Sequence, residues 1–386
     1  MSDEILFSIT KDHLETGLRG YPCGYCTTSY VDPQKGLFYI DKPVSQMSNA
    51  IPEEVIYLLY HGREGEKEEV IAFFDQLKKR ATLSEKTIHD IHALPRSAHP
   101  MKLFSIGLLL LGINEGVGDY REDGLQLIAK LPHLVAEIIN YHAGWGKCSQ
   151  PNMDLGYIES FSAMLNVPSV DKGRLSQVLR LFHVLHMDHG GGNLSTFVGK
   201  TVASGLEDMY GSMSSAMCAL AGPRHGRANQ DCLEFVRNMI QEVGEAATES
   251  QVEHAIRHRL ANGELVYGFG HAVLRVEDPR ATVQYEYLHK HFPSHPLTHM
   301  ALLLRSAGTK VLKENPKVAC PYPNVDAVSG SLLTAAGFGY PEYFTVLFGL
   351  SRSVGIAIQV IYERLQARNG KGTPIVRPKY LFKSAN

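Results

Sequence analysis

The chain has 386 residues, of which 44% are hydrophobic and 20% are charged, with 38 basic and 40 acidic side chains. This composition excludes an intrinsically disordered chain and is typical of a globular protein with about two or three domains. A formal net charge of -2 excludes a global field that would attract nucleic acid or an anionic membrane, so an anionic ligand must be bound by local basic residues.

The first residues and the cysteines predict the cellular compartment. The chain begins without a basic segment that leads into an apolar stretch and without an Arg- and Ser-rich leader, which predicts a cytoplasmic protein. Its six cysteines are spread thinly along the sequence, which favours reduced thiols over a disulfide framework. Cys23 and Cys26 have the spacing of a redox motif but precede a strand-like segment rather than a helix.

The N-terminal part of the sequence predicts a small β element, and the rest predicts helices. Residues 27–31 and 37–40 have the composition of strands and flank the turn 32–36 (DPQKG). Further along, apolar residues recur at spacings of three and four, as on the packed face of a helix. The clearest such segments are 53–60, 67–83, 125–139 and 232–243. The predicted fold class is therefore mainly α with a small N-terminal β element.

Two apolar segments could be mistaken for membrane spans. Residues 103–113 provide only about half of the roughly 20 residues that a bilayer requires. Residues 343–361 are long enough, but Arg352 lies at their centre, where a charge costs about 2.5–3.5 kcal/mol. Residues 343–361 are therefore predicted to be a buried core helix. A buried arginine needs an anionic partner, and the sequence around Arg352 does not show which anion this is.

Glycine and proline are concentrated in three segments that are predicted to join helices and that carry histidines. These are residues 188–193, 221–229 and 267–270, the last followed directly by His271. In the second, Gly222 and Pro223 end one helix, and the next begins within a few residues of His225. We therefore expect His225 near the positive end of a helix, where the imidazole pKa is lowered and the neutral ring still donates a hydrogen bond.

Taken singly, these segments allow other interpretations. His186, Asp188 and His189 are metal-ligand types, but the glycines at 190–192 end the helix and no third ligand follows at a typical spacing. His186 alone fits a buried structural histidine. Residues 268–271 (GFGH) are similar to a phosphate loop but lack the lysine and serine of that motif. Asp326 fits a helix N-cap.

Taken together and in this order along the chain, these segments are specific for one family. The chain resembles the citrate synthase family from about residue 18 to residue 379. The resemblance is closer to the dimeric, mitochondrial-like type than to the type with an additional N-terminal regulatory domain. Five segments carry it, with 99–101 (HPM) as a weaker sixth: 185–195 (LHMDHGGGNLS), 220–230 (LAGPRHGRANQ), 268–280 (GFGHAVLRVEDPR), 323–330 (PNVDAVSG) and 348–352 (FGLSR).

The resemblance implies an acyltransferase of the citrate (Si)-synthase type, which condenses acetyl-CoA with oxaloacetate and water to citrate and CoA in the tricarboxylic acid cycle. The thioester methyl group is a very weak carbon acid, so a carboxylate base needs help. The resemblance implies that Asp326 removes the proton, that neutral His225 stabilises the enolate oxygen, and that His271 polarises the keto group of oxaloacetate. It implies no metal and no tightly bound cofactor; coenzyme A enters as part of the substrate.

The resemblance also implies binding residues and partners. Arginine pairs with carboxylates bidentately and suits the dicarboxylate oxaloacetate. The implied substrate-binding residues are His189, Arg280, Arg352, Arg377, Asn193 and Ser195. The implied coenzyme A contacts are Arg275, Arg19, Val266, Gly268, Gly270 and Asn324. Because Arg377 matches a residue that reaches across from the other subunit, a homodimer is implied; no nucleic acid or membrane partner is expected.

The implied architecture is a two-domain helical citrate-synthase-like fold. Residues 1–225 and 332–386 form the large domain, and residues 226–331 form a small mobile domain that closes over the site when oxaloacetate binds. The nearest alternative is a 2-methylcitrate synthase, which has the same catalytic residues but uses propionyl-CoA. Two alternatives of other classes are a metal-dependent hydrolase built on His186, Asp188 and His189, and a non-catalytic CoA-binding or scaffold protein.

Overall fold

The fold is mainly helical with one small sheet, as predicted. The computed structural model describes residues 5–384, so residues 1–4, which contribute to the prediction of the compartment, lie outside the described residues. Within residues 5–384 the chain forms fifteen α-helices and one three-stranded antiparallel sheet. All six cysteines are free thiols.

The sheet consists of β1 (Ser29–Asp32), β2 (Gly36–Tyr39) and β3 (Lys42–Pro43), in that order. Its first two strands confirm the predicted hairpin. The carboxylate of Asp32 closes the turn by accepting hydrogen bonds from the N–H groups of Gln34 (2.8 Å) and Lys35 (2.9 Å). Gly36 has a φ of 101°, which favours glycine. The sequence did not predict β3, because two residues are too short for a strand pattern.

The helices follow the sheet without interruption by further strands within the described residues. Their bounds are α1 Pro52–His61, α2 Lys67–Lys78, α3 Glu85–His92, α4 Pro100–Glu115, α5 Tyr120–Ala143, α6 Tyr157–Met164, α7 Lys172–His186, α8 Leu194–Ser204, α9 Met209–Leu220, α10 Ala228–Val243, α11 Glu249–Ala261, α12 Pro279–His291, α13 Pro296–Lys313, α14 Asp326–Ala335 and α15 Phe344–Leu365. Short 3-10 helices lie at Lys11–Glu15, Val44–Met47 and Pro341–Tyr343.

One predicted helix is too long. The sequence predicted a helix over residues 67–83, but α2 ends at Lys78. Ser84 caps the next helix by accepting a hydrogen bond from the N–H of Thr87 (3.1 Å). Between them, the carbonyl of Thr82 accepts from the ammonium of Lys130 (2.6 Å), and the N–H of Leu83 donates to His133 (3.1 Å). Side chains of α5 therefore satisfy this backbone in place of a continued helix.

Helix α15 is the centre of the hydrophobic core. Residues 344–361 are all buried, and the helix packs against α5, α7, α8 and α9. Within the residues that the structure describes, Pro341–Leu365 is the one helix long and apolar enough to cross a membrane, but its most apolar window is buried throughout. This confirms the prediction of a core helix. Arg352 lies in its middle and is 2% exposed.

Helices α10 to α14 pack mainly against one another: α10 and α12 against α14, and α11 against α13. They occupy most of residues 226–331, the range predicted for a small domain. Their contacts with the rest of the fold include α14 with α7, α10 with α15, and α12 with β2. The residues predicted for the site come from both groups of elements. The division into two domains stays a prediction.

Candidate active site

The predicted site residues lie on six parts of the fold. These are the loop between α7 and α8 with His189 and Asn193, the loop between α9 and α10 with His225, the loop between α11 and α12 with His271, the first turns of α12 and α14 with Arg280 and Asp326, and the middle of α15 with Arg352. The first three are the glycine-rich helix junctions that the sequence indicated.

Backbone pairing brings the segment of His271 to the segment of Asp326. Phe269 and Pro323 form an isolated antiparallel β-bridge. Asn324 adds two hydrogen bonds: its N–H donates to the carbonyl of Gly268 (2.8 Å), and its side-chain amide donates to the carbonyl of Gly270 (3.0 Å). Asn324 therefore holds the loop 268–270 next to the start of α14. The resemblance also implies that Asn324 contacts coenzyme A.

Gly268 makes this pairing possible. Its φ is 82°, and a Cβ atom there would lie 2.8 Å from the Cα atom of Ala327 in the first turn of α14. A side chain would therefore meet backbone, which cannot rotate away. The neighbouring Val266 is half-buried and packs on the edge of the hydrophobic core.

His225 is held in one tautomer by the first turn of α8. Its Nε2 atom accepts a hydrogen bond from the backbone N–H of Ser195 (3.2 Å) and lies 2.9 Å from the Ser195 hydroxyl. Because a backbone N–H can only donate, the proton of the neutral ring is on Nδ1. Burial, with a smaller contribution from the charge of Arg352, lowers the pKa of His225 to about 4. The ring is neutral at physiological pH and offers Nδ1–H as a donor.

Asn193 supports this arrangement from the N-cap of α8. Its side-chain oxygen accepts hydrogen bonds from the Ser195 hydroxyl (3.0 Å) and from the N–H of Thr196 (3.1 Å). Its amide nitrogen donates to the carbonyl of His189 (3.3 Å). Asn193 therefore links the backbone of His189 to the serine that contacts His225.

His271 is held in the opposite tautomer to His225. Its Nδ1 atom accepts hydrogen bonds from the N–H groups of Val273 (3.0 Å) and Leu274 (2.9 Å), so its proton is on Nε2. Burial, helped by the charge of Arg280, lowers its pKa to about 4.

The ring centroid of His189 lies 5.5 Å from that of His271. Burial and the charges of Arg280 and Arg352 lower the pKa of His189 as well.

Asp326 is the first residue of α14. Burial raises its pKa to about 6, against the opposing charges of Arg280 and Arg352 and with a smaller raising effect of Asp278. A carboxylate with such a pKa is a much stronger base than one in water, and it remains ionised at neutral pH. Asp326 is therefore suited to remove a proton from carbon.

Two buried arginines lie among these groups. Arg280 is 3% exposed and pairs bidentately with Asp278 through Nε (3.0 Å) and Nη2 (2.7 Å). Arg352 donates from Nε to the carbonyl of His186 (3.1 Å), and its guanidinium lies 4.7 Å from the ring centroid of Phe348. Within residues 5–384 these are their side-chain hydrogen bonds, so the remaining N–H groups of both forks are available to an anion.

Sequence reasoning missed Asp278 and Phe348. Asp278 is 1% exposed, and Arg280 lowers its pKa by its charge and hydrogen bonds against the opposing effect of burial. Its position as the N-cap of α12, directly before a proline, was a signal that could have found it. Phe348 contacts Arg352 and lies 6.3 Å from the His225 ring, centroid to centroid; the repeat of four along α15 could have placed it beside Arg352.

Three predicted residues are exposed at the surface of the chain. Arg377 is exposed, in a C-terminal segment without regular structure, and Arg19 is exposed near the N-terminus. Arg275 is exposed next to the His271 loop, where it donates to the carbonyls of Val273 (2.9 Å) and Leu274 (2.8 Å). Arg275 therefore lies next to the His271 loop, and the roles of Arg19 and Arg377 stay predictions.

The residues of the metal alternative have other partners. His186 is buried and donates from Nδ1 to the carbonyl of Phe182 (2.7 Å). The buried carboxylate of Asp188 accepts hydrogen bonds from Thr28, Ser29 and Gln359. Both side chains therefore have structural contacts within the protein.

Comparison with known proteins shows which family the chain resembles. The family model "Citrate synthase, C-terminal domain" matches residues 17–379. The mitochondrial citrate synthase of Citrus maxima is 36% identical over 97% of this chain and 83% of its own length. That of Daucus carota is 35% identical over 97% of this chain and 83% of its own length.

Solved structures share the fold. The crystal structure of citrate synthase from Thermotoga maritima has a TM-score of 0.80 and 27% identity, covering 96% of this chain and 95% of its own. The citrate synthase of Thermoplasma acidophilum, in a ternary complex with carboxymethyl coenzyme A and oxaloacetate, has a TM-score of 0.82 and 23% identity, covering 96% of each chain. The second similarity establishes the fold alone.

The predicted cytoplasmic location is wrong. The relatives from Citrus maxima, Daucus carota and Arabidopsis thaliana are all named as mitochondrial. The prediction relied on the composition of the first residues, and that composition does not establish a compartment.

The substitution Gly268→Ala should separate the His271 loop from α14. The added Cβ atom would press on the backbone of Ala327, and a displacement of the loop by about 1 Å can reduce catalysis about 100-fold. We expect that reduction in kcat/KM for acetyl-CoA in a steady-state assay.

The matched control is Gly263→Ala, because Gly263 has a similar φ of 74° but nothing within 4 Å of a built Cβ atom. The control has the same backbone strain without the collision. Equal activities of the two variants would show that the close approach to Ala327 is unimportant.

Proposed function

The chain belongs to the citrate synthase family, and we propose that it condenses acetyl-CoA with oxaloacetate in the cleft around Asp326, His225 and His271. It is a transferase that forms citrate, and we propose that it catalyses the citrate-forming step of the tricarboxylic acid cycle. One observation carries the assignment of the cleft: two buried arginines, Arg280 and Arg352, lie among the proposed catalytic residues. Phe348 contacts Arg352 and lies 6.3 Å from the His225 ring, and the bridge between Phe269 and Pro323 joins the segments of His271 and Asp326.

Asp326 is the base in this proposal. The methyl group of a thioester is a very weak acid, so the base needs a pKa closer to neutrality than that of an ordinary carboxylate. The raised pKa of Asp326 supports this role. The carboxylate takes the methyl proton, and the electron pair moves onto the thioester oxygen.

His225 stabilises that oxygen. Its Nδ1–H is the donor, because Ser195 occupies Nε2. A neutral donor with a pKa of about 4 holds the developing enolate oxygen without first transferring a proton. Ser195 and Asn193 act by fixing this tautomer.

Oxaloacetate binds to the two arginines and His189. The open N–H groups of Arg280 and Arg352 each match one carboxylate of a dicarboxylate. Nε2–H of His271 donates to the keto oxygen and makes the carbonyl carbon more electrophilic, and the enol carbon attacks it. Water then hydrolyses the citryl thioester, which releases citrate and coenzyme A.

Coenzyme A enters as part of the substrate, and the proposed reaction uses no tightly bound cofactor. Its phosphates are proposed to contact Arg275 and Arg19. The backbone of Val266, Gly268 and Gly270, with Asn324, is proposed to line its path towards Asp326. The position of this loop at the rim of the cleft supports the assignment.

Residues 226–331 are proposed to move as a small domain. Because α10 to α14 pack mainly against one another, they can rotate as a unit relative to the α15 core. Arg280, His271 and Asp326 belong to this unit, whereas Arg352, His189 and Ser195 belong to the other. Oxaloacetate bridging the two would close the cleft and exclude water from the thioester.

A homodimer is proposed from an exposed apolar face of α4. Ile106, Leu109 and Ile113 are 39%, 42% and 78% exposed at helical spacing, which leaves an apolar stripe that a partner can bury. The C-terminal segment is also apolar, with Tyr380 91% and Phe382 95% exposed. We propose that this segment lies on the partner and brings Arg377 to its cleft.

The test of the function is release of free thiol from acetyl-CoA and from propionyl-CoA, each with and without oxaloacetate. We expect oxaloacetate-dependent release with a higher kcat/KM for acetyl-CoA. The 2-methylcitrate alternative is not favoured, because the family model and the relatives are those of citrate synthases. Thiol release without oxaloacetate, or a clear preference for propionyl-CoA, would contradict the proposal.

Replacing the base should remove catalysis but not substrate binding. The variant Asp326→Asn keeps the shape of the side chain and loses the proton acceptor, so we expect kcat to fall about 10²- to 10⁴-fold. Binding of oxaloacetate, measured by titration calorimetry in the absence of acetyl-CoA, should persist and serves as the internal control. A variant that retains most of its kcat would contradict the role of Asp326.

Charging the exposed face of α4 should dissociate the dimer. The double variant Leu109→Glu, Ile113→Glu places two carboxylates in the apolar stripe, where burial without partners is unfavourable. Light scattering after gel filtration should give the monomer mass, with loss of activity because Arg377 no longer reaches a partner. Ile71→Glu is the control, since Ile71 is 50% exposed on α2, away from this stripe. A wild-type monomer, or a double variant that remains a dimer, would exclude the proposed interface.

A further inference from the structure

The residues on either side of His189 are held by the same two side chains. Asp188 precedes it and Gly190 follows it, and both contact Ser29 of β1 and Gln359 of α15. His189 is thus fixed at both neighbouring positions while its own ring is left to face the cleft.

Ser29 provides one half of this clamp. Its hydroxyl donates to the carboxylate of Asp188 (2.8 Å) and accepts from the N–H of Gly190 (2.7 Å). Ser29 is 4% exposed and Asp188 is fully buried, so water does not compete with these hydrogen bonds.

Gln359 provides the other half. Its amide nitrogen donates to the carboxylate of Asp188 (2.8 Å) and to the carbonyl of Gly190 (3.2 Å). The side chain is 2% exposed. One amide group therefore contacts both neighbours of His189.

Lys200 fixes which way the amide points. Its ammonium, which can only donate, lies 3.1 Å from the Gln359 oxygen and 3.0 Å from the carboxylate of Glu363. On the opposite side, the carboxylate of Asp188 can only accept. The nitrogen of Gln359 must therefore face Asp188.

The clamp and the substrate arginine share one face of α15. Arg352 and Gln359 are seven residues apart, which is two helical turns, and Gly355 lies between them. A Cβ atom on Gly355 would lie 2.6 Å from both the carboxyl carbon of Asp188 and the carbonyl oxygen of Met187. Glycine at this position lets the His189 loop lie directly on the helix that carries Arg352.

We propose that Gln359 is a positioning residue for oxaloacetate binding: its amide, oriented by Lys200, holds Asp188 and Gly190 so that His189 lies at a fixed place relative to Arg352. This rests on the proposed function, because it assumes that His189 and Arg352 bind the same dicarboxylate. Gln359 contacts neither substrate nor reacting atoms; it acts through His189.

The test is Gln359→Leu in the full chain. Without the amide the loop is released from α15, so we expect the Kd for oxaloacetate, measured by titration calorimetry, to rise roughly tenfold or more. The KM for acetyl-CoA at saturating oxaloacetate should remain within about twofold of the wild-type value. Gln366→Leu is the matched control, because Gln366 follows the same helix and is exposed. Equal Kd values for the two variants would overturn the proposal.

A double-mutant cycle with His189→Asn distinguishes positioning from general destabilisation. If Gln359 acts through His189, Gln359→Leu should change the Kd little in the His189→Asn background. An equal increase in both backgrounds would overturn the proposal. If Gln359→Leu does not fold, Ser29→Ala takes its place in the same cycle, with the same two decisive outcomes.

The proposed function and this inference can fail separately. A wild-type chain that releases no thiol from acetyl-CoA in the presence of oxaloacetate contradicts the function itself. A wild-type chain that is active, with a Gln359→Leu variant that binds oxaloacetate normally, contradicts the role of Gln359 alone.

Discussion

Two buried guanidinium groups, those of Arg280 and Arg352, constrain the charges of the residues and of the substrate around them. Burial opposes the charge of Arg352 and lowers its pKa to about 10, and the carboxylate of Asp188 opposes this effect. Arg280 is compensated by its bidentate pair with Asp278. The positive charge that remains uncompensated suits a dianionic substrate, which would complete the neutralisation. Burial, with a smaller contribution from these charges, lowers the pKa of the neighbouring imidazoles and keeps them neutral.

Backbone N–H groups, rather than other side chains, fix the tautomers of the two imidazoles that are proposed to be catalytic. The backbone N–H of Ser195, at the start of α8, donates to Nε2 of His225. The backbone N–H of Val273, in the loop after His271, donates to Nδ1 of His271. Each ring is thereby left with one defined donor in a neutral state, and no proton has to move before the reaction begins. Asp326 differs because its burial raises the pKa of a carboxylate that must accept a proton. The two domains implied by the sequence would each carry part of this set, so that closure assembles the reactive arrangement.

The sequence predicted the local features well, because each depends on nearby residues. The hairpin turn at Asp32, the glycine-rich junctions and the core helix around Arg352 all follow from short patterns. The pairing of Arg280 with Asp278 could also have been predicted, since Asp278 caps the same helix. The contact of Gln359 with Asp188 and Gly190 could not, because it joins parts of the chain that are remote in sequence and depends on the close approach at Gly355. The position of Arg377 is not set by the single chain, which is why it stays a prediction.

The pH dependence of kcat/KM for acetyl-CoA, at saturating oxaloacetate, tests the central claim most directly. Asp326 works as a base only when ionised, and burial raises its pKa to about 6, so its activity is present above that pH and is lost as the pH falls through it. The account predicts an acidic limb centred near pH 6, with a loss of about tenfold per unit below it. A rate that stays constant down to the ordinary range of an aspartate, near pH 4, would contradict it.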